Sequence, residues 1–347
     1  MSKNKLKLEK ICTFFNGRTK PNSKGRFPVY GGNGIISYIN HYNADNILVI
    51  GRVGAYCGNA FYSRNKCWVS DNAIGIILNE NVSNIKYIFY FLGKTNIRNL
   101  AIGSSQPLIT QDILKNIEID LPSLEEQKRI ADILTALDDK IELNNQMNQT
   151  LEEIASLLYK RWFVDFEFPD DKGNPYKSSG GEMVDSELGM IPKGWEVKEL
   201  GDICETIASG STPSKIDVDN ALDTSNELIG FIKVKDIINS EIQFSKIEFI
   251  PLLISEEKMR RSILKENDIL LSMAGTIGRT ARVSKEFSNM NINQALATIR
   301  VEDIIMIPYV YCWINSIATQ DSFKSKTVHA VQANLSLSSI RKQKILI

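Results

Sequence analysis

Histidine is almost missing from this chain: only His41 and His329 occur among 347 residues. Acid–base or nucleophilic chemistry built on imidazole, and histidine-rich metal sites, have next to nothing to work with. The five cysteines, Cys12, Cys57, Cys67, Cys204 and Cys312, are scattered, odd in number and never spaced C-x-x-C. That points to free thiols in a reducing, cytoplasmic setting and against a disulfide frame or a zinc site. A phosphate-cradling G-x-x-x-x-G-K-[ST] is absent, because Gly93-Lys94-Thr95 has the tail but Ile88 stands where the first glycine belongs. Gly31 to Gly34 lacks the G-x-G-x-x-G spacing of a dinucleotide site, and Asn174-Pro175-Tyr176 reads as a turn. No apolar run is long enough to span a bilayer, and the start MSKNKLKLEKIC is basic and then polar, so no membrane partner is expected. Catalysis by this chain is not expected.

What is present is ordinary globular composition, 43% hydrophobic and 24% charged, with room for two or three domains. The net charge of zero conceals a division. Residues 1–120 carry 15 Lys and Arg against 7 Asp and Glu, a balance of +8. Residues 121–192 carry 7 against 15, and residues 193–347 carry 19 against 19. A polyanion is drawn to the first segment and repelled by the second.

The acidic segment holds one long helical pattern. Ile130, Ile133, Leu137, Met147, Leu151, Ile154 and Leu158 follow the three/four spacing of a heptad seam, interrupted near its middle by Lys140 and Asn144. Ser123 and Glu126 form a capping-box pair at its start, while Lys160 and Arg161 suit its end. The pattern predicts a helix over about Leu124–Phe163, roughly 60 Å long at about 1.5 Å per residue. So narrow a stripe calls for another helix to cover it, with the polar entries setting register. The carboxylate pairs Asp138-Asp139 and Glu152-Glu153 lie on its solvated faces.

Before this helix the chain reads as short strands and turns: a hairpin or tight crossing over Phe27–Ile39, buried strands in Asn46–Val53 and Ala73–Leu78, a helix over Tyr87–Lys94, a loop over Gly103–Thr110 and a strand over Asn116–Pro122. Residues 169–193 are rich in Gly, Pro, Ser and acids and read as a linker. After them the pattern begins again. GWEVKELGDIC echoes KLKLEKIC, SGSTPSK echoes NGRTKPNSK, DILLSMAGTIGRTA resembles NILVIGRVGAYCG, INQALATIRV matches SDNAIGIIL, and HAVQANLSLSSIRKQKILI parallels GSSQPLITQDILKNIEI. Five echoes in one order predict two similar α+β domains, residues 1–121 and 194–347, separated by a helix over 122–168 and the linker. The second copy stops where the first runs into its helix, so two expectations stand: the chain is truncated before a second helix, or another chain covers the seam of Leu124–Phe163.

Candidate DNA contacts lie in the loops, where small, amide and basic residues gather. Arg52 lies between Gly51 and Gly54, and its counterpart region offers Thr276 and Arg279. Arg64 and Lys66 occupy the next turn. Ser104, Ser105 and Gln106 have a counterpart in Gln332, with Asn334 nearby, and Lys233 and Lys235 lie on a strand-like FIKVKD. Gln and Asn read adenine, Arg reads guanine, and Lys usually meets phosphate. For partner binding the candidates are Ile130, Leu137, Lys140, Asn144, Leu151 and Leu158.

FPVYGGNGI, NILVIGRVG, SSQPLIT, LPSLEEQKRIADILTALDDKIELNNQ with SLLYKRWFVDFEFP, and the re-entry IPKGWEVKELGDIC together resemble the DNA-specificity subunit of type I restriction-modification systems. The resemblance implies two target-recognition domains, each reading one half of a bipartite sequence in double-stranded DNA. It also implies spacer helices that form a coiled coil and dock methyltransferase (modification) subunits, which the restriction subunit joins. S-adenosylmethionine, ATP and Mg would belong to those partners, leaving this chain no cofactor. A spacer of roughly 60 Å matches about one and a half to two turns of B-DNA at ~34–36 Å per turn. Since the second helix of that pattern is missing here, a homodimer through the exposed spacer helix is a further expectation. Two rival readings stand beside this one: the recognition portion of a fused type II restriction-methylation enzyme, and a coiled-coil adaptor that never touches DNA.

Overall fold

The β-branched runs ILVIG and AIGIIL become the central strands of the first of two units in the computed structural model, which describes residues 5–103, 106–222, 226–325 and 334–347. Unit 1 is Met1–Met147 and unit 2 is Asn148–Ile347. In unit 1, Ile47–Gly51 and Ala73–Leu78 pair antiparallel, with Cys12–Asn16 added at one edge and Ala60–Ser63 at the other. Leu48, Ile50, Ile74 and Ile76 pack with Ile88 and Leu92 of the helix Ile85–Lys94 in one core. A second sheet holds Gly34–Ile39, Phe27–Gly31 and Trp68–Val69, the last pair parallel. The chain's first strand, Lys5–Lys7, pairs antiparallel with Glu118–Asp120 and ties the start of the unit to its end.

Unit 2 repeats all three pieces in the same order. Its four-stranded sheet runs Cys204–Ser209, Leu296–Val301, Ile269–Ser272, Thr280–Arg282. Its three-stranded sheet runs Glu248–Pro251, Leu228–Ile232, Asn291–Ile292, again with one parallel pair, and Val197–Glu199 pairs with Lys344–Leu346. The α+β fold with two similar domains and a long helix is as the sequence implies.

The correspondence reaches single atoms. Gly17 donates its N–H to Ala73 O at 3.0 Å, and Gly210 to Leu296 O at 3.2 Å. A Cβ at either glycine would lie 1.8 Å from Ser70 O or 1.9 Å from Ile292 O, so both turns require glycine. Two residues on, Thr19 Oγ1 donates to Asp71 and Thr212 Oγ1 to Gln294. Thr110 and Ser336 cap the equivalent short helices Gln111–Lys115 and Leu337–Arg341. Cys12 and Cys204 occupy the same place, facing Leu78 and Val301 in register, and burial pushes both thiols up to about 12. The units part where unit 1 turns tightly at Gly32-Asn33. Unit 2 instead inserts a 3-10 turn, Val234–Asp236, and a small hairpin, Ile237–Ile238 with Glu241–Ile242.

Two expectations change. The stretch read as a linker is folded: Met183–Ser186 and Gly189–Pro192 form a hairpin, and Phe168 stacks on Tyr176 and Trp195 at 4.7 and 5.2 Å. The long helix is α-helical over Leu124–Tyr159 and then widens to a π turn, Lys160–Val164, where Phe163 packs 4.4 Å from the ring of Tyr309. At its start Glu126 N–H donates to Ser123 Oγ at 3.3 Å. Gln127 is fully buried in unit 1, accepting Asn84 N–H and donating to Val82 O and Pro122 O. From residue 136 to 158 the helix is exposed on every face. Among the described residues, no helix is long and apolar enough to cross a membrane.

One cross-strand pair trades bulk between the copies. Phe15 faces Gly75 in unit 1, where Ala208 faces Thr298 in unit 2. A Cβ at Gly75 would sit 2.2 Å from the Phe15 ring. Gly75→Thr is therefore expected to cost about 1–3 kcal/mol by overpacking, and Phe15→Ala in the same chain to recover part of that cost. Denaturant unfolding of the four chains of this cycle measures the coupling, and simple additivity would refute the compensation.

Candidate nucleic-acid interface

The loop leaving Ile47–Gly51 is clamped by main chain on both sides. Arg52 N–H donates to Asn72 O at 2.9 Å, and Arg52 O accepts Ile109 N–H at 2.9 Å. Gly54 N–H reaches Pro107 O at 3.2 Å, and Gly58 N–H returns to Gly51 O at 2.8 Å. Positive φ values of 84° at Gly54 and 88° at Gly58 permit this path. Three sequence-distant segments, 51–58, 70–72 and 107–109, are thus gathered into one cluster. Arg52 is half-buried, and its Nε is buried without a hydrogen-bond partner. Leaving such a donor unmade costs about 1–3 kcal/mol in general. Around it Tyr56, Asn72 and Gln106 are exposed. Ser104 and Ser105 lie outside the described residues. Arg64 and Lys66 are exposed on the turn before Trp68, where Lys66 Nζ sits 4.4 Å above the Tyr42 ring.

Unit 2 builds the same clamp with other side chains. Met273 N–H donates to Ala295 O and Met273 O accepts Leu335 N–H, both at 2.8 Å, and Gly278 N–H returns to Ser272 O at 3.0 Å. Met273, almost buried, therefore occupies the place of Arg52, and Ala295 that of Asn72. Thr276 is exposed in this loop. Arg279 donates through Nη1 to Ile237 O at 3.1 Å and Val234 O at 3.5 Å, bracing the inserted segment. Lys233 follows its strand and Lys235 lies in the 3-10 turn. Both donate to the carboxylate of Glu248 at 2.6 Å. Asn334 is exposed and Gln332 lies outside the described residues.

The sequence reading did not single out Asn72, Tyr56, Glu248 or Gln127. Asn72 stands just before the buried strand of SDNAIGIIL, a position that strand periodicity does not mark. On the helix, Ile130 is half-buried, whereas Leu137, Lys140, Asn144, Leu151 and Leu158 are exposed. Among the described residues, no group of three or more His, Cys, Asp or Glu could hold a metal ion.

Two copies of one α+β fold, each presenting loops clamped at the end of its central strands, define a chain of duplicated domains. It belongs to the type I restriction modification DNA specificity domain family, whose model matches residues 2–153 and 192–347. It is 33% identical over 201 residues to the specificity subunit of the type I restriction enzyme MjaIX of Methanocaldococcus jannaschii, covering 56% of this chain and 43% of that one. It is 29% identical over 243 residues to the HindI specificity subunit of Haemophilus influenzae, covering 55% and 51%. The chain spans about half the length of these curated relatives. The crystal structure of the type I S subunit from M. genitalium superposes with a TM-score of 0.59 over 99% of this chain and 84% of that one, at 15% identity, a likeness of fold.

The two lysines hold the Glu248 carboxyl down to about 2, far below the usual carboxylate range. A depressed folded-state value means that its contribution is complete above about pH 4.5 and lost as pH falls toward 2. Its side chain is 47% exposed, so the pair is worth little, of the order of ~0–1 kcal/mol. The gap in unfolding midpoint between wild type and Glu248→Gln is expected to stay constant above pH 4.5 and to close as the pH falls toward 2. Urea titrations across that range measure it, and a gap that persists unchanged to pH 2 would contradict the assignment.

Proposed function

We propose that this chain reads DNA sequence for a type I restriction-modification assembly, each unit recognising one half of a bipartite duplex target. The observation that carries this reading is the duplication with exchanged side chains: one main-chain frame, presented twice, bears Arg52 and Asn72 in one copy and Met273 and Ala295 in the other. One reader built twice with different side chains suits two different half-sites. The balance of +8 in residues 1–120 suits attraction to phosphate.

In this reading the helix is a spacer and docking element. Leu137, Leu151 and Leu158 supply an apolar seam, and Lys140 and Asn144 set its register against a partner helix, of the methyltransferase subunit or of a second copy of this chain. The restriction subunit joins that assembly. S-adenosylmethionine, ATP and Mg are bound by those partners, and this chain has no catalytic role.

The test is co-purification with the modification subunit encoded beside this chain, followed by selection from random-sequence duplexes. A two-part sequence with a fixed gap is expected. Leu137→Glu with Leu151→Glu should abolish co-purification while the helical circular-dichroism signal persists. Absence of both partner and sequence preference would leave the adaptor reading in its place.

A further inference from the structure

We infer that Arg52, with Asn72 beside it, determines the sequence read by unit 1, and that Arg52 pairs with the major-groove edge of a guanine. This rests on the DNA-reading function proposed above and assigns it to particular side chains. The peptide groups of Arg52 are committed on both sides, to Asn72 and Ile109, so its Cα is fixed by the frame. Its guanidinium has no such commitment. Nε is buried and unpartnered, and no hydrogen bond or ion pair joins the group to another described residue. Arg279 shows the contrast, with its guanidinium spent on the carbonyls of Val234 and Ile237.

The duplication says which kind of contact to expect. A grip on phosphate carries no sequence information, and both units need one alike. At this place, however, arginine in unit 1 becomes an almost buried methionine in unit 2, and the neighbouring asparagine becomes alanine, with the main-chain bonds on both sides of the residue retained. A position that changes from polar to apolar inside an unchanged frame is where two readers differ in what they read. Arginine meets guanine O6 and N7 through two parallel N–H groups, and asparagine meets adenine N6 and N7.

The experiment selects duplexes from a randomised pool with the full chain, co-purified with its modification subunit, as wild type, Arg52→Met and Arg52→Lys. Methionine is the residue that unit 2 carries in the same frame, and retained selection of the other half-site reports that the variant is folded. Arg52→Met is expected to lose a guanine preference in one half-site only, and Arg52→Lys, whose ammonium can still donate to O6 and N7, to weaken it there. Affinity for the wild-type sequence should fall roughly 5- to 150-fold, the span of one bidentate base contact. Arg52→Lys, which keeps the charge, should leave the salt dependence unchanged. Two outcomes overturn the inference while leaving the proposed function standing. In one, both variants select the wild-type sequence. In the other, Arg52→Met weakens all sequences alike and lowers the slope of log K against log salt by about one, the mark of a phosphate contact. A wild-type chain that selects no sequence removes the proposed function itself, and this inference with it.

Discussion

The main-chain clamp at the end of the central strands is the constraint on which the rest of each unit depends. Buried peptide groups must find partners, and here the partners of residue 52 or 273 come from two other segments, 72 and 109 or 295 and 335. The bonds run between N–H and C=O groups, so they are indifferent to the side chains that the residues carry. That indifference lets one architecture hold Arg52 and Asn72 in one copy and Met273 and Ala295 in the other. The fixed glycines, Gly17 and Gly210, complete the frame, because a neighbouring carbonyl fills the space where a Cβ would stand. Position and side-chain identity are thereby separated: main chain sets position, and side chains are free to differ.

The units also dispose of their charges differently. In unit 2 the cations are largely answered from within. Lys233 and Lys235 share Glu248, Arg300 grips the buried Asp268 through two bonds of 2.7 Å, and Lys265 pairs with Glu205. Residues 193–347 accordingly balance at 19 against 19. Among the described residues of unit 1 such pairs are few, and Arg64 and Lys66 are exposed, Lys66 beside an aromatic ring. A polyanion approaching unit 1 meets uncompensated charge. In unit 2 the carboxylate of Glu248 already engages both Lys233 and Lys235.

Much of this was legible in the sequence. ILVIG and AIGIIL announce buried strands because β-branched residues fit a pleated surface covered on both faces. The five echoes identify the duplication because their order, rather than any one string, is improbable by chance. What escaped was the pairing of individual loop residues. The strings NILVIGRVGAYCG and DILLSMAGTIGRTA share a Gly-Arg pair, which sets Arg52 against the Thr276–Arg279 region. The loops differ in length, and only the hydrogen bonds to Asn72 and Ala295 set Arg52 against Met273. The π turn at Lys160–Val164 was equally hidden, since Phe163 meets a tyrosine far along the chain, Tyr309. The hairpin inside the Gly- and Pro-rich stretch escaped because its strands are short and lack a clear alternation.

The helix shows where a pattern carries meaning beyond its own unit. Gln127 spends its side-chain amide on Asn84, Val82 and Pro122, which fixes how the first turns are rotated against unit 1. Ala131 is consequently buried and Ile130 half-buried, while Leu137 is already exposed. Were the apolar stripe only the inner face of a helix lying on unit 1, its spacing would have no reason to persist past that point. It persists through Met147, Leu151, Ile154 and Leu158, all exposed, with Lys140 and Asn144 keeping their places in the same seam. Residues that gain nothing from the core of unit 1 yet hold heptad spacing accord with the docking role proposed for this helix. The two polar entries then have a physical use, because a wholly apolar seam would tolerate a shift of one turn that Lys140 and Asn144 resist.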